Sequence, residues 1–208
     1  MDTLVFATGN AHKLQEIRAI LGHQFEIKSL NDIGCDVDIP ETGSTFSENA
    51  LQKAHYVKQH YGLDCFADDS GLQVEALNGQ PGVFSARYAA IHGLTTSAGR
   101  DEDNMDYLLQ QLATHPTEPL PSNPLQQGWP ASFSTHIALI YQGQEHHFEG
   151  IIHGHIIPEK RGTHGFGYDP IFVPEGHTQT FAQLGDDIKN SMSHRARAVA
   201  QLAAFLKS

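Results

Sequence analysis

At 208 residues, 39% hydrophobic and 18% charged, the chain is long enough for one substantial core and too apolar for a disordered segment. A formal net charge of −11 argues against a protein that grips a nucleic-acid backbone by bulk attraction, but it leaves room for a small anion in a locally positive cleft. The two cysteines, Cys35 and Cys65, provide no disulfide framework. With no charged leader and no apolar run long enough for a bilayer, no membrane partner is expected, and the expected location is cytoplasmic.

Thr3 to Ala7 reads as a first strand, broken by Thr8-Gly9-Asn10. From Ala11 the apolar spacing becomes helical at Leu14, Ile17, Ile20 and Leu21, with Asn10 as N-cap and Gly22 as the stop. Such a strand–turn–helix unit is either an ordinary α/β connection or an anion site, with Lys13 in the first turn reaching back to a phosphate. Phe25 to Leu30 is a second strand, with Gln24 to Ile27 alternating polar and apolar. Thr45 and Glu48 form a capping box opening a helix that ends near Gly62, which leaves Glu41 in the loop just before it.

Leu63 to Ala67 reads as a buried strand, followed by Asp68-Asp69-Ser70-Gly71 as a turn and Leu72 to Leu77 as a further extended piece. Two adjacent acids repel unless a cation relieves them, so the pair is either a polar turn or a site for a hard metal. Met105, Leu108, Leu109 and Leu112 mark a helix with acids near its start. The segment 115–130 holds five of the ten prolines and is expected to be an insertion loop rather than a core element. Ser132 to Tyr141 and Glu145 to Ile157 are two strands joined at Gln142-Gly143-Gln144. The second carries His153 and His155 on one face, either surface positions or ligands of a transition metal. The glycine-rich run 162–170 holds Phe166 and Tyr168 and precedes a short strand, Ile171 to Val173. A last helix is expected from near Ser191, with Lys189, His194 and Arg195 clustered at its start. Cations there oppose the helix dipole, and a bound anion would remove that objection.

Six motifs stand in order: Thr8 to Lys13, Glu41 to Ala50, Ala67 to Leu72, Pro81 to Tyr88, Gly165 to Pro170, and Lys189 with Ser193-His194-Arg195. Together they resemble the inosine/xanthosine triphosphate pyrophosphatase family over nearly the whole chain. The resemblance implies an α/β fold, an elongated mixed β-sheet with flanking helices forming two lobes around a central cleft, in a single domain over 1–208 and usually a homodimer. It implies Mg²⁺-dependent hydrolysis of ITP, dITP and XTP to the monophosphate and pyrophosphate. Asp69 matches the family's catalytic and metal-binding residue, with Asp68 and Glu41 as further metal ligands. Thr8, Gly9, Asn10, Ala11, His12 and Lys13 match the triphosphate-binding residues, assisted by Lys53 and Ser70. Phe166, Gly167, Tyr168 and Asp169, with Lys189, His194 and Arg195, match the nucleoside-binding residues, Phe166 stacking on the base and Arg195 donating to the purine 6-keto oxygen. Two other readings stand beside this one: a metal-dependent phosphatase or a nucleotide pyrophosphatase acting on other nucleoside triphosphates, and a module that binds a nucleotide without turnover.

Overall fold

The protein is described from a computed structural model covering residues 2–21 and 25–207. The expected stop at Gly22 and the position of Gln24 lie outside the described residues. The elements are β1 (Asp2–Phe6), α1 (Ala11–Leu21), β2 (Phe25–Lys28), α2 (Phe46–Tyr61), β3 (Cys65–Val74), α3 (Arg100–Leu112), β4 (Glu118–Leu120), β5 (Asn123–Tyr141), β6 (Gln144–Ile156), β7 (Phe172–Pro174), α4 (Phe181–Leu184), α5 (Asp186–Met192) and α6 (His194–Leu206). The sheet is mixed, in the order β2-β1-β3-β5-β6-β7, with β4 paired to β5. β1 runs parallel to β2 and β3, whereas β7 is antiparallel to β6 and β4 to β5.

The chain divides into two compact units. The first comprises residues 1–69, 135–150 and 194–208. The inner end of its β1 is apolar on both faces: Leu4 and Phe6 join one cluster with Ile17, Leu21, Val199 and Leu202, while Val5 and the following Ala7 join another with Ala50, Ala54 and Val57. Successive strand residues point to opposite faces, so a strand covered on both sides must be apolar throughout. α1 and α6 cover one face and α2 the other. Gly150 permits the close packing of α6, since a Cβ there would lie 1.9 Å from the His194 carbonyl oxygen.

The second unit comprises residues 70–134 and 151–193. Its core gathers Leu72, Val74, Met105, Leu108, Leu112, Trp129, Phe133, Ile156, Phe172 and Phe181. Among the described residues, no helix is long and apolar enough to cross a membrane.

Four expectations are corrected. The acidic stretch is not a turn between two strands, because β3 runs unbroken through it, and residues 75–77 form a short 3-10 helix instead of its continuation. The proline-rich segment is not an insertion loop: β4 and the start of β5 occupy it, and Leu120 and Trp129 are buried. Pro119 is tolerated because β4 pairs only with β5 and its register shifts between Pro119 and Leu120. The last helix starts at His194 rather than near Ser191, and Ser193, with ψ of 165°, separates it from the short α5. The second strand is shorter than expected, ending at Lys28. The β5–β6 turn matches its reading, with Gln142 and Gly143 both at positive φ, as a two-residue hairpin turn requires.

Candidate active site

Adjacent residues of one strand face opposite ways, and this separates the two acids of β3. Asp68 lies on the side of Phe66, toward α1 and α6; Asp69 lies on the side of Cys65 and Ala67, toward α2.

Asp68 is fully buried and ringed by cations. Its Oδ1 accepts from Lys13 Nζ at 3.0 Å and its Oδ2 from Arg195 Nε at 3.1 Å. Arg195 is 2% exposed and also donates to Glu16 through Nη1. Burial by itself would raise the Asp68 pKa, but Lys13, Arg195 and Lys53 together hold it well below the ordinary carboxylate range. Burial lowers Lys13, opposed by Asp68. The cost of placing Arg195 at the start of α6 is therefore offset by protein carboxylates on α1 and β3. Asp68 thus faces away from Asp69, and both of its oxygens accept from cations.

Asp69 has a different environment. Its Oδ2 accepts from Asn49 Nδ2 at 2.9 Å, and its main-chain carbonyl accepts from Thr135 Oγ1 at 3.3 Å. Burial raises its pKa above the usual value; Lys53 and Lys13 pull it down, and Glu41 pushes it up again. A buried, partly compensated carboxylate suits a group that accepts a proton or holds a cation. Lys53 Nζ donates to Glu41 Oε1 at 2.6 Å and to the Asp68 carbonyl at 2.7 Å, tying the 41–43 loop to β3. The loop is tied a second time by the Gly43 N–H, which donates to Asn49 Oδ1 at 2.7 Å. That donor fixes which end of the Asn49 amide faces Asp69. The donor set of Asp69 and Glu41 fits a hard divalent ion such as Mg²⁺, which takes oxygen ligands, needs only one or two carboxylates and completes its shell with water and phosphate. Among the described residues, no three His, Cys, Asp or Glu side chains form a metal cage.

The turn after β1 is built as its sequence suggests, with a qualification. Asn10 Oδ1 caps α1 by accepting from the N–H groups of His12 and Lys13, and Thr8 Oγ1 accepts from the Asn10 N–H. Those donors are satisfied within the turn, whose Gly9, Ala11 and His12 are exposed. Among the described residues, His153 is exposed and His155 Nε2 lies 3.2 Å from Glu118 Oε1.

The second unit holds the nucleoside candidates other than His194 and Arg195, together with Ser70 on β3. Asp169 Oδ2 accepts from Lys189 Nζ at 2.7 Å and from the Phe166 N–H at 3.0 Å. The Lys189 ammonium stands 4.4 Å from the centroid of the half-buried Phe166 ring, a cation–π contact. Tyr168 is buried and donates to the Ser85 carbonyl at 2.8 Å, so it is a core anchor. His194 is buried at the start of α6 in the first unit.

Sequence reasoning missed Asn49, Glu16, Thr135 and Asp101, whose Oδ2 accepts from the Gly167 N–H at 2.8 Å. Asn49 had a signal: it lies one helical turn before Lys53, on a face otherwise made of Ala50, Ala54 and Val57, where an uncompensated amide is costly. Thr135 and Asp101 had none, because their partners are 66 residues distant.

A model of the Ham1 family matches residues 4–205. A relative from Porphyromonas gingivalis, named a dITP/XTP pyrophosphatase, is 52% identical over 208 residues, covering 99% of this chain and 98% of its own length. A relative of the same name from Bacillus licheniformis is 40% identical, covering 99% and 98%. Among solved structures, a HAM1 protein from Coxiella burnetii superposes with a TM-score of 0.83 at 36% identity, covering 100% of this chain and 99% of that one. The Ham1 protein of Staphylococcus aureus gives a TM-score of 0.80 at 34% identity, covering 99% and 98%.

Proposed function

This chain belongs to the Ham1 family, and from that premise we propose that it hydrolyses ITP, dITP and XTP to the monophosphate and pyrophosphate. The observation that carries the reading is Asp69: a buried carboxylate with a raised pKa, held by Asn49 beside Glu41 and Lys53.

In this reading water attacks the α-phosphorus as pyrophosphate leaves, and Asp69 orients that water and accepts its proton. Glu41 and Asp69 would hold Mg²⁺, which supplies charge neutralisation at the phosphates. Lys13, half-buried on α1, meets the triphosphate from the Thr8 to Lys13 turn, and Lys53 keeps Glu41 close to β3. Phe166 is the stacking surface for the purine, with Asp169 and Lys189 behind it. A donor from Arg195 to the 6-keto oxygen comes from a guanidinium already held by two carboxylates, which makes it preorganised. Such a donor rejects adenine but not guanine, so discrimination against GTP falls to the 2-amino group, which an acceptor-free pocket leaves unpaired. We further propose that residues 1–208 work as one functional domain, as a homodimer, in the cytoplasm.

The test is release of pyrophosphate and orthophosphate from ITP, XTP, dITP, GTP and ATP, with and without Mg²⁺. Metal-dependent pyrophosphate release that strongly favours ITP, dITP and XTP is expected. Orthophosphate as product, or equal rates on all five, overturns the substrate assignment.

A further inference from the structure

Phe166 is a usable stacking surface only if its backbone holds still, and its own sequence works against that. It is flanked by Gly165 and Gly167, whose φ angles are 78° and 62°. Glycines at positive φ carry the largest conformational freedom to lose on folding. Two carboxylates restrain them. The Phe166 N–H donates to Asp169 Oδ2, and the next N–H along, that of Gly167, donates to Asp101 Oδ2 at 2.8 Å. Asp169 is local, three residues from Phe166; Asp101 comes from the first turn of α3, 66 residues away.

The two restraints differ in what else they do. Asp169 also binds Lys189 and is buried, and a Cβ on Gly165 would lie 2.1 Å from its Oδ2. Asp101 is partly exposed, with its side chain at 37%, and its other oxygen accepts from Arg100 Nε at 3.4 Å. The acceptor is a side-chain carboxylate, so the bond to Gly167 is charge-assisted. With Lys189 over one face of the Phe166 ring, a planar base stacking on the ring takes the opposite face.

We propose that Asp101 is a positioning residue for purine recognition, holding the Gly165–Gly167 turn so that Phe166 is preorganised as the stacking surface. The proposal rests on reading Phe166 as the base platform. It assigns to Asp101 no contact with substrate and no part in the phosphate chemistry.

The test compares Asp101→Ala and Asp101→Asn with wild type, measuring KM and kcat for ITP and XTP, calorimetric binding of inosine monophosphate, and Tm. In Asp101→Ala, KM and the monophosphate Kd rise about tenfold while kcat stays within about twofold, the size expected for one lost charge-assisted hydrogen bond that acts on binding alone. Asp101→Asn keeps an acceptor oxygen for the Gly167 N–H and returns both constants to within about threefold of wild type. Wild-type KM and Kd in Asp101→Ala overturn the proposal, as does an Asn variant as weak as the Ala variant. A fall in kcat together with Tm assigns Asp101 to the fold instead and also overturns it. Absence of pyrophosphate release by wild type defeats the proposed reaction alone, and monophosphate binding then still decides the role of Asp101. A wild-type protein that binds no purine monophosphate defeats this proposal.

Discussion

Asp68 and Asp69 are chemically identical neighbours that the strand assigns to opposite environments. Their replacements should therefore fail differently. Asp69→Asn keeps an oxygen for the Asn49 amide and removes a charge that burial disfavours. It is expected to lower kcat by roughly 10²–10⁴, the range for a lost general base, with Tm unchanged or slightly raised. Asp68→Ala leaves the buried Arg195 and the half-buried Lys13 without their shared carboxylate, a loss of about 3–5 kcal/mol that urea denaturation would register. Equal stability of the two variants would contradict the assignment. The pH dependence has a defined sign. Because the folded-state pKa of Asp68 is depressed, its contribution is complete above the unfolded carboxylate value and is lost as pH falls toward the folded one. Asp69 has the opposite shift, so folding favours its protonated form, and that stability is lost as pH rises through its folded pKa. Carbon NMR of the side-chain carboxyls in metal-free protein should find Asp69 titrating well above Asp68.

At the scale of elements, α2 does more than cover the sheet. Thr45 caps it, accepting from the Glu48 N–H at 3.2 Å, but Glu48 does not complete the box expected at Thr45. Its carboxylate accepts from the Ser44 N–H and hydroxyl at 2.7 and 2.9 Å, one residue earlier. The loop before α2 is thereby drawn against its first turn, leaving no room for a side chain at Gly43. A Cβ there would stand 2.6 Å from Glu48 Cβ and 2.8 Å from Asn49 Oδ1. Gly43→Ala is expected to push the loop away and lengthen the bond to Asn49. Turnover should fall at least about tenfold, the scale of one misplaced catalytic contact. The half-saturating Mg²⁺ concentration should rise, because Glu41 rides on the same loop. Wild-type metal dependence in that variant would show that the loop plays no part in placing Glu41. β3 contributes in another way: Cys65, adjacent to the site in sequence, is buried, and burial pushes its thiol up to about 12. It is therefore not a candidate nucleophile at neutral pH.

At the scale of the molecule, the net charge of −11 repels nucleotides at a distance, so capture relies on a few cations close to the phosphates. Raising ionic strength to about 0.15 M screens that repulsion, and kcat/KM for ITP is expected to hold or rise. The steep decline typical of proteins held to nucleic acid by many phosphate contacts would point to a basic surface that the composition does not supply.

Some of this was legible from residues alone because it rests on local physics. The cap at Asn10, the stop at Gly62, the Gln142-Gly143 hairpin and the first strand before Thr8 each depend on propensity and periodicity within a few residues. The ordered motifs pointed to the family for the same reason: each is a local segment read directly. The tertiary structure decided the rest. Asp-Asp-Ser-Gly has the composition of a turn, yet in β3 it is strand, because pairing with neighbours and packing of helices on both sides outweigh a weak local preference. Pairing likewise drew the proline-rich segment into β4 and β5. The division of labour between Asp68 and Asp69, and the restraint of Gly167 by Asp101, come from partners brought in from distant parts of the chain. Hydrogen bonds and charge pairs act through space over about 3 Å, so only the folded chain determines which of its many polar groups come within that reach.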